Sequence, residues 1–181
     1  RKEWGLGEED FVFLSFGQVR DGKQLDLVLH AMTRLPDWIK LVVAGKGDSQ
    51  SQRPVSFYQD LAREWGVSER CHWENRYIAD SEVSDLFHGA DAILTTYSER
   101  FVSASGVLST AVAYERPVLA SAGGGPMETA LKHYPIGEWA EPGDLEGIVS
   151  KMETLIQQNQ PYSFFEYNQD HSWTTNARII L

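Results

Sequence analysis

One cysteine, Cys71, stands in a chain of 181 residues, so no internal disulfide can form and no cysteine-rich metal site can be built. No run approaches the roughly 20 apolar residues that a membrane-spanning helix needs, and no charged-then-apolar signal segment opens the chain. Together these absences point to a soluble protein of a reducing, cytoplasmic compartment, with Cys71 as buried filler. Cations are also scarce: 16 Lys and Arg face 26 Asp and Glu, a net charge of −10. A surface of that sign does not displace counterions from a phosphate backbone, which argues against a nucleic-acid partner. The five histidines, His30, His72, His88, His133 and His171, show no ligand spacing, so neither a metal site nor a metal cofactor is expected. No internal repeat or low-complexity segment is present.

What is present is a βα alternation. The chain is 42% hydrophobic, enough for one substantial core and a single main domain. Phe11 to Phe16 is a continuous apolar run between Asp10 and Gly17, the mark of a strand buried on both faces. Helical spacing follows from Leu25 to Leu35. The alternation continues with strand 39–44 and helix 55–65, strand 71–73 and helix 81–88 capped by Ser81, and strand 92–96 and helix 106–114. Strand 118–120, a short helix after Pro126 and a long amphipathic helix 144–157 capped by Asp144 complete it. This order specifies a doubly wound parallel sheet, a Rossmann-like three-layer α/β/α fold, over residues 1–158. Residues 159–181 read as a tail with a C-terminal helix led by Ser172-Trp173. The chain starts at Arg1 without methionine, and RKEWGLGEED looks like the run-in to a first strand, so a piece of a longer protein is expected.

The glycines gather where strands end, the edge at which open parallel sheets bind ligands. In FGQVRDGK, Gly17 would admit a ligand to the backbone, with Arg20 and Lys23 just beyond; the plainer reading is a solvated turn. Eleven of the sixteen Lys and Arg precede residue 91, and Arg20, Lys23 and Lys46 all follow predicted strands, which suggests a local anion site on an acidic protein. In SASGVL, Ser105-Gly106 sits at a helix start. There the hydroxyls of Ser103 and Ser105 and the N–H groups of Gly106, Val107 and Leu108 could surround phosphate oxygens. Ser105 also reads as an ordinary N-cap, and the two roles are compatible. Gly45 and Gly47 open space at the second strand end, with Tyr77-Ile78 following the third. In GGGPME, Pro126 suits a first helical position, and Glu128 is either a cap or a ligand contact.

FLSFGQVRDGK, LVVAGKGD, YIADSEVSDLFHGADAILTTYSE, SGVLSTAVAYERPVLAS, GGGPME and EPGD, in that order from about Phe11 to Ile156, resemble the C-terminal, donor-binding half of family 4 glycosyltransferases with two Rossmann domains, in the variants carrying Ser-Gly-Val-Leu. The resemblance implies retaining, metal-independent sugar transfer from a nucleotide-diphospho-sugar, with no cofactor. The acceptor site would lie in an N-terminal domain absent from this chain, toward which residues 159–181 would pack and through which any membrane contact would run. It assigns Arg20 and Lys23 to the departing diphosphate, Gly17, Ser105, Gly106, Val107 and Leu108 to its phosphates, and Gly45, Tyr77 and Ile78 to the nucleobase side.

Two departures stand out. The family usually places Arg directly after the loop glycine and Lys six residues after it; Lys23 matches, but position 18 is Gln and Arg20 comes two residues later. The family's paired glutamates, eight positions apart, would fall near Glu99 and at Thr110, whose hydroxyl can bond a ribose but cannot accept two hydroxyls as a carboxylate does. A non-catalytic interaction or sensing module on the same fold is therefore the competing reading. Donor base, sugar, acceptor and oligomeric state are not encoded legibly.

Overall fold

The computed structural model describes residues 1–47, 52–157 and 162–171. Its elements are β1 (Phe11–Phe16), α1 (Leu25–Met32), β2 (Ile39–Ala44), α2 (Val55–Glu64), β3 (Cys71–Glu74), α3 (Asp80–Gly89), β4 (Ala92–Thr96), α4 (Gly106–Ala113), β5 (Val118–Ser121), α5 (Pro126–His133), β6 (Gly137–Trp139), α6 (Leu145–Gln157) and α7 (Phe165–Asp170). The strands form one six-stranded sheet in the order β3-β2-β1-β4-β5-β6, and every pairing is parallel. The expected doubly wound α/β/α fold is what the chain adopts.

The apolar runs are continuous because both faces of the sheet are covered. Alternate residues divide between two cores: Phe13, Leu41 and Val43 pack with Val28 and Leu29 of α1, Tyr58 of α2, and Ile148 and Met152 of α6. Val12, Leu14 and Val42 face the other way, against Phe87 of α3, Leu108 and Val112 of α4, and Met127 of α5. Burying a side chain of this size contributes about 1.5–3 kcal/mol, so the two layers fix the register of β1 and β2 through side-chain period alone.

The strand order reverses at β1. From β1 the chain winds outward through β2 and β3, then returns to place β4 on the other side of β1. The helices on either side diverge there, leaving a crevice beyond the carboxyl ends of β1 and β4.

Three expectations differ from the structure. Strand β6, Gly-Glu-Trp, was not expected: it has no apolar run of its own and exists because β5 offers it a ladder. Helix α3 starts at Asp80, so Ser81 lies inside the first turn; the Glu82 carboxylate accepts from the Ala79 N–H (2.9 Å) and caps the helix instead. Cys71 is half-buried, its thiol directed to the Val67 carbonyl and pushed up to about 12 by burial, which leaves it unreactive at neutral pH. Asp144 does cap α6, accepting from the Gly147 N–H at 3.0 Å. In the tail, α7 buries Tyr167 in the second core, and the helix expected from Ser172 lies outside the described residues.

Candidate functional site

The site begins with the exit from β1. Gly17, at φ +89°, turns the chain away from the sheet after its N–H bonds the Ala44 carbonyl at 2.8 Å. The backbone bridges Val19 to Gly47 and makes a 3-10 turn over Asp21–Lys23. Gln24, also left-handed at φ 50°, redirects it into α1. This double reversal folds Lys23 back over the strand end, where its ammonium donates to the Phe16 carbonyl. Lys23 is 8% exposed. Burial, with the Arg20 guanidinium adding repulsion, lowers its pKa from the ordinary 10.5 to about 7.

The turn is held from outside by α2. Asp21 accepts from Arg53 Nε (2.9 Å) and from Tyr58 Oη (2.7 Å). The Arg53 guanidinium also meets Asp26 at 3.0 Å. Burial pushes the Asp21 carboxyl up, but these bonds outweigh it and hold it below its ordinary value. The Thr96 hydroxyl donates to the Lys23 carbonyl at 3.0 Å, so the basic turn is tied to β4 as well.

Opposite this turn stands the N-terminus of α4. Ser105 caps it, its hydroxyl oxygen accepting from the Leu108 N–H at 3.3 Å. A Cβ built on Gly106 would meet nothing within 4 Å, so the space before the helix end is open. The cavity enclosed has a volume of about 480 Å³ and is lined by Gly17, Gln18, Arg20, Lys23, Tyr97, Phe101, Ser105, Gly106, Val107 and Thr110, among others. Two cations and the positive end of a helix converge on it, which is an arrangement for an anion of more than one charge.

A second cavity of about 440 Å³ adjoins it across Phe16, Gly17 and Gln18, and is closed by Gly45, Lys46, Gly47, Tyr77 and Ile78. Gly45 leaves this floor flat: a Cβ there would sit 2.2 Å from the Gly17 carbonyl oxygen. Tyr77 is 75% exposed and Ile78 is buried, so the ring stands at the rim above an apolar wall. A third cleft, about 370 Å³, lies beyond the 97–102 loop among Glu99, Gly123, Gly124, Glu128, Trp139 and Glu141.

The structure therefore brings Gly17, Arg20, Lys23, Ser105, Gly106, Val107 and Thr110 to one cavity and Gly45, Tyr77 and Ile78 to its neighbour. It does not bring Glu99 to either, but places it in the third cleft with Glu128. The Leu108 side chain is in the core, and its N–H, expected to face a phosphate, donates to Ser105 Oγ. Thr110 spends its hydroxyl proton on the Gly106 carbonyl at 2.8 Å and can only accept from a ligand. The residue missed was Phe101, whose ring stacks on that of Tyr97 at 4.1 Å between centroids; Tyr97 itself reads from the sequence as a sugar contact or a solvated loop residue. The signal was two aromatics four apart in an otherwise polar loop. Among the described residues, no group of three or more His, Cys, Asp or Glu could hold a metal ion, and no helix is long and apolar enough to cross a membrane.

The sequence profile of the glycosyl transferases group 1 family matches residues 1–179. The chain belongs to that family. It is 27% identical over 164 residues to a D-inositol 3-phosphate glycosyltransferase of Mycobacterium marinum (strain ATCC BAA-535 / M), a match covering 88% of this chain and 33% of that protein. The group 1 domain described above thus spans about a third of the length of this curated relative. Among solved structures it superposes on Anabaena HepE in complex with UDP, with a TM-score of 0.78 at 19% identity, covering 88% of this chain and 42% of that one. It also superposes on the C-terminal domain of LpcC, a glycosyl transferase group 1 family protein from Francisella tularensis, with a TM-score of 0.65 at 16% identity, covering 86% of this chain and 81% of that one.

Proposed function

We propose that this chain is the nucleotide-diphospho-sugar-binding half of a retaining, metal-independent glycosyltransferase, working in polysaccharide or glycoconjugate synthesis with an acceptor held by a domain outside the chain. The observation that carries this reading is the pair of adjoining cavities at the strand-order reversal. One is lined by two cations and a helix start, as a diphosphate requires; the other is apolar-walled, as a nucleobase requires. That Anabaena HepE has been solved with UDP and with UDP-glucose supports the same ligand class here.

The chemistry follows from charge. When the bond between sugar and diphosphate breaks, negative charge grows on the phosphate oxygens. Lys23, Arg20, the Ser105 hydroxyl and the first N–H groups of α4 stabilise that charge more in the transition state than in the bound donor. The site supplies fixed cations where other transferases use a divalent ion. Retention of configuration is carried over from the family resemblance, as is the absence of a cofactor.

Calorimetric titration of the chain with UDP, GDP and ADP tests the reading. One nucleotide should bind at a 1:1 ratio, and its identity names the donor class. No binding by any of the three, in this chain or in the longer protein containing it, would favour a non-catalytic interaction module, a reading to which Thr110 in place of a carboxylate lends weight. Gly106→Val is the second test. With open space before Gly106, the added methyls should fill the phosphate position and weaken binding at least about tenfold, while the melting temperature moves by less than about 3 °C.

A further inference from the structure

Tyr97 touches both sides of the anion cavity. Its hydroxyl lies 3.1 Å from Ser105 Oγ. Its ring stacks on Phe101 at an interplanar angle of 27°, and the Arg20 guanidinium carbon sits 6.0 Å from the Tyr97 centroid and 5.9 Å from that of Phe101. Its backbone is pinned by β5: the Tyr97 N–H donates to the Ser121 carbonyl at 2.8 Å, and the Ser121 hydroxyl donates to the Tyr97 carbonyl at 2.9 Å. With its amide turned to satisfy both neighbours, Gln24 donates to that carbonyl at 3.0 Å and accepts from the Gly143 N–H at 3.2 Å. Tyr97 is 4% exposed, so the ring has no freedom to leave.

The proton count at Ser105 gives this contact a direction. Ser105 Oγ already accepts from the Leu108 N–H, leaving one lone pair and one proton. The phenol is the stronger acid of the two hydroxyls and the better donor. With Tyr97 donating, both lone pairs of Ser105 are used and its own proton is turned into the cavity that it lines. We propose that Tyr97 is a positioning residue for the anion site, aiming the Ser105 hydroxyl proton at a phosphate oxygen while its ring seats Arg20 across the same cavity. This rests on the donor-site reading above and adds to it a residue that touches no phosphate itself.

A double-mutant cycle tests it, with affinity for UDP, GDP and ADP read by calorimetry and melting temperature read alongside. Tyr97→Phe keeps the ring and removes the aiming bond; affinity for the nucleotide that binds should fall about fivefold, the scale of one hydrogen bond. Ser105→Ala should cost about tenfold or more and lower the melting temperature through the lost cap. The double variant should bind no worse than Ser105→Ala alone, because without the Ser105 hydroxyl there is nothing for Tyr97 to aim. A merely structural role would lower the melting temperature of Tyr97→Phe with affinity unchanged. Tyr97→Leu should weaken binding further than Tyr97→Phe, because Arg20 loses the ring beneath it. Unchanged affinity in Tyr97→Phe, or additive losses in the double variant, would overturn the proposal while leaving the donor site standing. A wild-type chain that binds none of the three nucleotides overturns both.

Discussion

Replacing Lys23 by Ala should reduce nucleoside diphosphate affinity by about 100-fold or more, with the fold retained; this is the cost of truncating a desolvated cation that meets an anion. The effect is large because Lys23 is held back over the strand end, donating to the Phe16 carbonyl and almost shut off from water. Its low pKa adds a test that no surface lysine would pass. In the free chain the ammonium gives up its proton near pH 7, whereas the diphosphate binds the protonated form. Above about pH 7 binding must therefore take up a proton, and affinity should fall by about tenfold per pH unit. Lys23→Ala should flatten that dependence. Buffers of different ionisation enthalpy, compared at pH 8, would reveal the proton uptake directly. Flat affinity between pH 7 and 9 would mean that Lys23 stays charged in the free chain; unchanged affinity in Lys23→Ala would remove it from the site.

The same burial has a consequence for stability, of the opposite sign to a salt-bridged lysine. Between about 7, where the folded chain releases this proton, and 10.5, where the unfolded chain does, the unfolded state holds more protons. Stability therefore rises with pH across that window relative to a Lys23→Met variant, and it is at low pH, with the ammonium charged and buried, that Lys23 weakens the fold. Denaturant melts of both chains at pH 6.5 and 9 should show the wild-type chain gaining on the variant. A buried cation kept at a cost to the empty protein is what an anion site requires.

The sheet was legible because its strands are buried on both faces and so read as unbroken apolar runs; β1, β2 and β4 fall where the runs do. Strand β6 was not, since Gly137, Glu138 and Trp139 carry no period and their structure comes from the neighbour they pair with. The anion cavity was legible in its glycines, its lysine and its helix start, each of which has a local signature. What could not be read was which of these groups is already occupied. The Leu108 N–H is consumed by Ser105 and the Thr110 proton by its own helix, and such assignments depend on rotamers rather than on residue type. Nor does spacing show that Arg20, two positions later than the family pattern, reaches the cavity over the rings of Tyr97 and Phe101. The rings of Tyr97 and Phe101 lie beside Arg20 from another loop, and that relation exists only in three dimensions.

Gly45→Ala should be far more damaging to the fold than Gly106→Val, and for the opposite reason. Gly45 follows β2 at φ +147°, and a Cβ there would lie 2.2 Å from the Gly17 carbonyl oxygen and 2.5 Å from its carbonyl carbon. Both are backbone atoms of a turn whose N–H is bonded to Ala44, so neither can step aside without breaking the end of the β1–β2 ladder. The added methyl is expected to cost on the order of 3 kcal/mol or more, lowering the melting temperature by about 10 °C. Gly106 carries no such constraint, having open space where Gly45 has backbone. Thermal melts of the two variants, each with and without bound nucleotide, should therefore separate cleanly. Gly45→Ala would melt early in both conditions, while Gly106→Val would melt like the wild-type chain when empty and fail to gain stability from ligand. If Gly45→Ala instead melted with the wild type, the close approach of the two strand ends would have to be wider than described, and the flat floor shared by the two cavities would go with it.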